Sequence, residues 1–384
     1  MKKIILTGGG TAGHVMGNFA LLPGLRERGF EVVYVGSYDG IERDLAKEEG
    51  LTYRAISSGM LRRFASFENV TDMFRVVKGI GDALRVLRQE RPDVIFSKGG
   101  YVTVPVAVAA ALLHIPFIAH ESDLSPGLAN RLAARFAKKM LVTFPETAAA
   151  FGAKGQAVGS PLRQELLEGD RVRGLEHLGF SGDKPVLLAM GGSLGSKVIN
   201  EAIWSNLSEL LCEYDLIHLT GKGHLRQDLL GRPGYRQMEY AGEEMKDLLA
   251  ACDLVVSRAG SNSIFEFLVL KKPHLLIPLG LNQSRGDQIL NARSFQKAGY
   301  SMVLQEEEVT QQAFLAHLRS LREERGEYIE RMGQAELAHT LPVILDLLEA
   351  AVKENKRPKL RSPQQKPPCL NFQKTHAEDP KHRS

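Results

Sequence analysis

Hydrophobic positions along this chain come in short unbroken runs rather than in alternation. Lys3-Ile4-Ile5-Leu6-Thr7 leads into Gly8-Gly9-Gly10, then into a helical pattern through Leu21, Leu22 and Leu25. Val32-Val33-Tyr34-Val35, Val94-Ile95-Phe96, Phe117-Ile118-Ala119 and Met140-Leu141-Val142 follow, each separated by a helical stretch. Continuous apolar strands between helices predict a parallel sheet covered on both faces. The pattern then restarts. Val186-Leu187-Leu188-Ala189-Met190 runs into Gly191-Gly192-Ser193-Leu194-Gly195, with later strands at Leu216-Ile217-His218-Leu219, Leu254-Val255-Val256 and Leu275-Leu276-Ile277. Two glycine-rich strand-to-helix turns opening two α/β halves predict a pair of Rossmann-like domains. Turn residues at Val158-Gly159-Ser160-Pro161 place the boundary, giving domains 1–160 and 161–335.

The segment from Met332 to Val352 reads as helical, with Leu337, Leu341, Ile344, Leu347 and Leu348 on one face and an interruption expected at Pro342. Residues 336–352 are therefore assigned to a closing helix. Residues 353–384, rich in proline and polar side chains, cannot bury enough surface to order themselves and are expected to form a disordered tail. The apolar stretch 102–119 contains Pro105, His114 and Pro116, which favours a buried helix and then a buried strand over a membrane span. Another helix shows a stripe of Met73, Val76, Val77, Ile80, Leu84 and Leu87.

Charge changes this picture only at the end of the chain. Lys and Arg number 49 against 45 Asp and Glu, but nine of the cations and only three of the anions lie in 353–384. The body is nearly neutral, so a nucleic-acid footprint is not expected. The three cysteines, Cys212, Cys252 and Cys369, are too scattered for a disulfide framework or zinc cluster, which suits a cytoplasmic setting. The run after Met1-Lys2-Lys3 is too short for a secretory h-region, so no leader is expected.

Gly8-x-Gly10-x-x-Gly13 lies where backbone N–H groups and a helix N-terminus receive an anion, although a plain tight turn has the same spacing. The second strand ends in Val35-Gly36-Ser37 with Asp39 displaced, which argues against a dinucleotide-dependent dehydrogenase. His14, in the first helical turn, is either a general base or a helix-end hydrogen-bonder. Two further nests, 191–196 and 257–263, with Glu266 on the helix opened by the latter, outline a nucleoside diphosphate pocket. Glu266 would grip a ribose diol, and Asp287-Gln288 and Asn291-Ala292 suit sugar hydroxyls or simple capping. His120-Glu121-Ser122-Asp123 crowds polar groups at a strand's carboxyl end, without the spacing of a metal cage. Arg62-Arg63-Phe64, Phe67, Phe74 and Arg75 place aromatic rings among cations, as an edge that settles on anionic lipid does, or as a solvated helix face.

Together, Gly8 through His14, Gly99-Gly100-Tyr101-Val102, His120-Glu121, Gly191 through Gly195, Ser257-Arg258-Ala259-Gly260 and Asp287 through Ala292 form an ordered series. On these motifs the chain, over about residues 1–350, resembles the MurG family, bacterial members of glycosyltransferase family 28. The resemblance implies a GT-B fold with an N-terminal acceptor domain, a C-terminal donor domain and a terminal helix crossing back. It implies UDP-GlcNAc as donor, undecaprenyl-diphosphate-linked N-acetylmuramoyl-pentapeptide as acceptor, and a peripheral place on the cytoplasmic face of the cell membrane, with no cofactor or metal. It puts Thr11, Ala12 and Gly13 in the glycine-rich binding turn and Arg163 beside the diphosphate. Ser193 falls on phosphate, Gly242 on uracil, Ser261, Asn262, Ser263 and Glu266 on diphosphate and ribose, and Gln288 on the GlcNAc hydroxyls.

Several positions depart from the family pattern. Ala12 stands where glycine is usual, Met16-Gly17-Asn18 replaces an aromatic-proline entry, Leu194 a glutamine and Asp123 an asparagine. A carboxylate at Asp123 would repel a diphosphate unless it faces a hydroxyl or an ammonium. The expected reaction is an inverting displacement by the muramoyl 4-hydroxyl, with His14 as base and Glu121 and Asp123 as rivals. The alternatives are a diacylglycerol glycosyltransferase, a UDP-GlcNAc 2-epimerase, or a non-catalytic UDP-GlcNAc sensor.

Overall fold

Why an unbroken hydrophobic run makes a strand here is plain from the first one. Alternate side chains of β1 (Lys2–Thr7) point to opposite faces: Ile4 and Leu6 join one buried cluster and Ile5 another, all without exposed surface. A computed structural model describes residues 2–59, 68–192, 194–282, 284–335 and 340–356. Over these, β2 (Phe30–Ser37), β3 (Thr52–Ile56), β4 (Val94–Ser97), β5 (Phe117–Glu121), β6 (Lys139–Val142) and β7 (Gly155–Ala157) complete the first sheet. Its order is β3-β2-β1-β4-β5-β6-β7, every neighbouring pair parallel. The second sheet holds β8 (Val186–Met190), β9 (Asp215–Leu219), β10 (Tyr235–Met238), β11 (Leu254–Ser257), β12 (His274–Leu276) and β13 (Met302–Val303). Its order is β10-β9-β8-β11-β12-β13, again all parallel. This is the doubly wound pair that the GT-B expectation describes.

The helices differ from the expected pattern in instructive places. The first is split into Ala12–Phe19 and Leu22–Glu27, with Pro23 in the opening turn of the second, where a missing N–H costs nothing. The stretch 102–119 gives the helix Thr103–Leu112 and then β5. In the helix Glu68–Glu90, Val76, Ala83 and Leu87 are buried, but Val77 is 62% exposed, beside Phe74 at 73%. Val77 therefore does not belong to the inward stripe.

The closing helix spans Thr340–Lys356, running past the expected end at Val352, and Pro342 sits in its first turn rather than interrupting it. Leu337 and the tail from residue 357 lie outside the described residues. Ile344, Leu345, Leu348, Ala351 and Val352 pack with Ile4, Leu6, Leu22, Leu25 and Phe96, so the helix that follows the second domain is buried on the first. Leu345 joins that face as well, and Leu341 and Leu347 pack against it half-buried. Arg28 pairs with Asp346 at 2.6 Å and with Glu349 at 3.3 Å, and Lys2 also pairs with Glu349.

Leu348 has no exposed surface. Leu348→Ala should lower the unfolding free energy by about 2–5 kcal/mol through lost burial and the cavity left behind. Denaturant unfolding followed by tryptophan-independent far-UV dichroism measures this, and an unchanged midpoint would contradict the packing described.

Candidate active site

Both sheets reverse strand order between their first and fourth members, β1/β4 and β8/β11, which opens a crevice beyond the carboxyl ends. In the first domain the loops after β1 and β4 close on each other: Gly9 N–H donates to Gly99 O at 3.3 Å. Gly100, at φ 88°, admits no side chain, since a Cβ there would lie 2.1 Å from Gly9 O. Thr11 then caps the helix Ala12–Phe19, its Oγ1 accepting from His14 N–H at 3.4 Å. In the second domain Ser196 caps the helix Lys197–Ser205, and Gly260 opens the helix Ser261–Val269. The N-termini of the helices Ala12–Phe19 and Ser261–Val269 border the space between the domains, and Gly192, in the turn before the helix Lys197–Ser205, reaches it too.

That space holds two cavities. One of about 450 Å³ lies between the domains, lined by Thr11, Gly13, His14 and Asp123 on one side and by Gly192, Ser261, Asn262, Ser263, Glu266 and Gln288 on the other, with Arg163 at the crossing. A second, of about 310 Å³, is lined by first-domain residues such as Gly10, Tyr101, Glu121 and Asn130, with Arg285 reaching in from the second domain. Thr11, His14 and Asp123 border both. His14 Nδ1 lies 3.0 Å from Gly9 O, and a carbonyl can only accept. The partner therefore assigns the proton to Nδ1 and leaves Nε2 as the basic nitrogen.

The two rivals for the base are otherwise engaged. Glu121 is buried and accepts from Asp123 N–H, Gly127 N–H and Asn130 Nδ2 at 2.9–3.0 Å, so it braces its own loop. Asp123 accepts from Arg285 Nη2 at 2.8 Å and from Asn291 Nδ2 at 3.1 Å, both from the second domain. Its charge is met by a guanidinium, which resolves the repulsion its position raised. Asn291 returns a bond, accepting from Leu124 N–H at 3.0 Å.

Ser261 and Asn262 make bonds across the cleft as well: Ser261 Oγ donates to Ser122 O, and Asn262 Nδ2 to Gly13 O at 2.7 Å. Arg163 grips Glu266 at 3.2–3.3 Å. Burial pushes the Glu266 carboxyl up, and Arg163 pulls it back. Gln288 Oε1 accepts from Leu279 N–H at 3.0 Å. Gly242 does not line the cavity; Tyr240 and Ala241 do, and the Gly242 carbonyl caps the following turn by accepting from Met245 N–H at 3.1 Å. Ser193, Arg62, Arg63, Phe64 and Phe67 lie outside the described residues, and so does the side chain of Ala12, the first residue of its helix. Phe74 and Arg75 are exposed on the helix Glu68–Glu90.

Sequence reasoning passed over Arg285 and Lys98. Lys98 has no exposed surface and donates from Nζ to Ser122 Oγ at 2.8 Å and to His120 Nδ1 at 2.9 Å. Burial brings its ammonium down to about 7. The available signal was a lysine directly after the apolar strand Val94–Ser97 and directly before Gly99-Gly100. Among the described residues no group of three or more His, Cys, Asp or Glu is placed to hold a metal ion, and no helix is long and apolar enough to cross a membrane.

Comparison with known proteins fits this geometry. Residues 4–142 match the glycosyltransferase family 28 N-terminal domain and residues 186–348 its C-terminal domain. The chain is 50% identical over 354 residues to a UDP-N-acetylglucosamine–N-acetylmuramyl-(pentapeptide) pyrophosphoryl-undecaprenol N-acetylglucosamine transferase of Clostridium botulinum, spanning 92% of this chain and 100% of that one. A protein of the same name from Clostridium perfringens is 51% identical over 348 residues, 90% of this chain and 98% of its own. The crystal structure of Acinetobacter baumannii MurG superposes with a TM-score of 0.71 at 24% identity, covering 91% of this chain and all of that one, a likeness of fold. With both halves matched in order, and with relatives at half identity over nearly its whole length, the chain belongs to glycosyltransferase family 28.

Proposed function

We propose that the chain transfers GlcNAc from UDP-GlcNAc to the 4-hydroxyl of undecaprenyl-diphosphate-linked N-acetylmuramoyl-pentapeptide, converting lipid I to lipid II in peptidoglycan synthesis. The observation that carries the reading is the place of His14, which borders both the interdomain cavity and the first-domain cavity with its Nε2 left basic. A donor in the one and an acceptor in the other would meet at this residue. Names borne by the Clostridium relatives supply the substrates.

The mechanism follows from the groups present. UDP-GlcNAc lies in the interdomain cavity, its ribose on Glu266 and its diphosphate on Arg163 and the N-termini of the helices Lys197–Ser205 and Ser261–Val269. Glu266 and Arg163 hold each other ready, and each exchanges part of that contact for the nucleotide. The muramoyl hydroxyl attacks the anomeric carbon from the first-domain side. His14 Nε2 takes its proton, and the bond to the diphosphate oxygen breaks with inversion. Fixed amides and Arg163 stabilise the departing charge, and this reading needs no metal for that task. The contacts across the cleft from Ser261, Asn262, Arg285 and Asn291 keep the two substrates aligned.

The acceptor's polyprenyl chain requires a membrane, and we place the protein peripherally on its cytoplasmic face. Phe74 and Val77 are exposed side by side on the first domain, following the basic sequence Arg62-Arg63. Such an apolar edge with adjacent cations fits an anionic lipid surface.

His14→Ala should reduce kcat by about 10²–10⁴-fold in a steady-state assay with a short-chain lipid I analogue. A loss below roughly tenfold, with UDP-GlcNAc affinity intact, would remove His14 from the role of base. Glu266→Ala should weaken UDP and UDP-GlcNAc alike, by roughly tenfold to a hundredfold for a lost charged hydrogen bond. Undiminished UDP binding by calorimetry would refute the ribose contact. Phe74→Asp should cut co-sedimentation with anionic vesicles by about tenfold or more, since it removes an inserted aromatic and adds repulsion. Equal retention would move the membrane face elsewhere.

A further inference from the structure

Lys98 stands apart from the residues used so far. It follows β4, has no exposed surface, and makes no ion pair among the described residues. A buried ammonium without a paired carboxylate is expensive to keep, so its surroundings should show what it serves.

They do. His120 Nε2 lies 2.9 Å from Gly159 O, which can only accept, so Nε2 carries the ring proton and Nδ1 is a bare lone pair. Lys98 must then be the donor to Nδ1. Ser122 Oγ likewise accepts from Lys98, which leaves the hydroxyl's own hydrogen free to donate outward. Outward is the interdomain cavity, which Ser122 and Gly17 both line. A Cβ on Gly17 would lie 3.1 Å from Lys98 Nζ, so the ammonium rests immediately behind that wall. The titratable groups around it are His120, Glu121 and Asp123 at the end of β5, with His14 on the helix Ala12–Phe19 facing His120. Glu121 is already held by three N–H donors and Asp123 by Arg285 and Asn291, so neither is a dedicated counter-ion.

We propose that Lys98 is a positioning residue for the departing diphosphate, aiming the Ser122 hydroxyl at it and lending it positive charge through the Gly17–Ser122 wall. The proposal rests on the transfer reading for the identity of the anion. It has a thermodynamic consequence of its own. Burial leaves the ammonium near the point of losing its proton, at about 7, and an anion placed beyond the wall restores the charged form. Binding of UDP-GlcNAc above that point therefore draws a proton from the buffer onto Lys98.

The test is calorimetry of UDP-GlcNAc binding at about pH 8 in buffers of different ionisation enthalpy, where the donor's diphosphate does not itself titrate. The wild-type protein should take up a substantial fraction of a proton. Lys98→Met, which replaces a buried charge by an apolar chain of similar length, should take up none and bind about tenfold more weakly. In the wild type kcat/KM should fall as pH rises through the Lys98 value, and in Lys98→Met that limb should be absent. Equal proton uptake and equal affinity in the two proteins would overturn the proposal. Should Lys98→Met not fold, Ser122→Ala decides: it should keep the proton uptake but lose affinity, and unchanged affinity sinks the idea. None of the binding readouts uses an acceptor. Proton uptake as expected, without lipid II formation by the wild type, would condemn the transfer reading and leave Lys98 in place.

Discussion

Both faces of each parallel sheet are covered, so polar chemistry in this fold has only the strand ends to occupy. Ile4, Ile5 and Leu6 are equally buried although they face opposite ways, and the same holds for Val186, Leu187 and Leu188 in the second sheet. Everything reactive is thereby displaced to the carboxyl ends, where helix N-termini leave N–H groups without intrahelical partners. Joining two such sheets with those ends toward one another concentrates the unsatisfied amides in a single crevice. The glycine turns are what let the chain approach closely there.

Electrostatics in the crevice is arranged in pairs that span elements. Arg163 at the domain crossing holds Glu266, and Arg285 in the second domain holds Asp123 in the first. Each pair leaves its members poised and nearly neutral together, so an arriving anion meets no net repulsion. Lys98 is the exception, a cation behind the wall whose hydrogen-bond partners are an imidazole and a hydroxyl. Such an arrangement is a poor source of stability and a good source of field.

Much of this was legible in the sequence where burial is strongest. The central strands were visible because unbroken apolar runs have no other use in a protein of this composition. The outer strands β3, β7, β10 and β13 were not, because an edge strand is half solvated, short or polar: Thr52–Ile56 and Gly155–Ala157 carry no apolar run at all. Val77 was misassigned because its spacing fits the stripe of the helix Glu68–Glu90 while its neighbour Phe74 marks a different, outward edge. The glycine turns, His14 and Glu266 were found from local spacing. Asp123 looks anomalous in sequence because its partner, Arg285, lies in the other domain, and Lys98 escapes notice because its partners are His120 in β5 and Ser122 just after it. Spacing reports neighbours along the chain; neither pairing is of that kind.

The path of the chain at the back of the molecule has a mechanical corollary. The polypeptide leaves the first half after Val158, and Thr340 Oγ1, at the start of the closing helix, donates to Val158 O at 2.7 Å. That bond fastens the start of the helix Thr340–Lys356 to the end of the first domain, next to the point where the chain leaves it. The residues flanking the second half are thus held one hydrogen bond apart, and a single hydroxyl at Thr340 pins both of its ends to the same spot on the first domain.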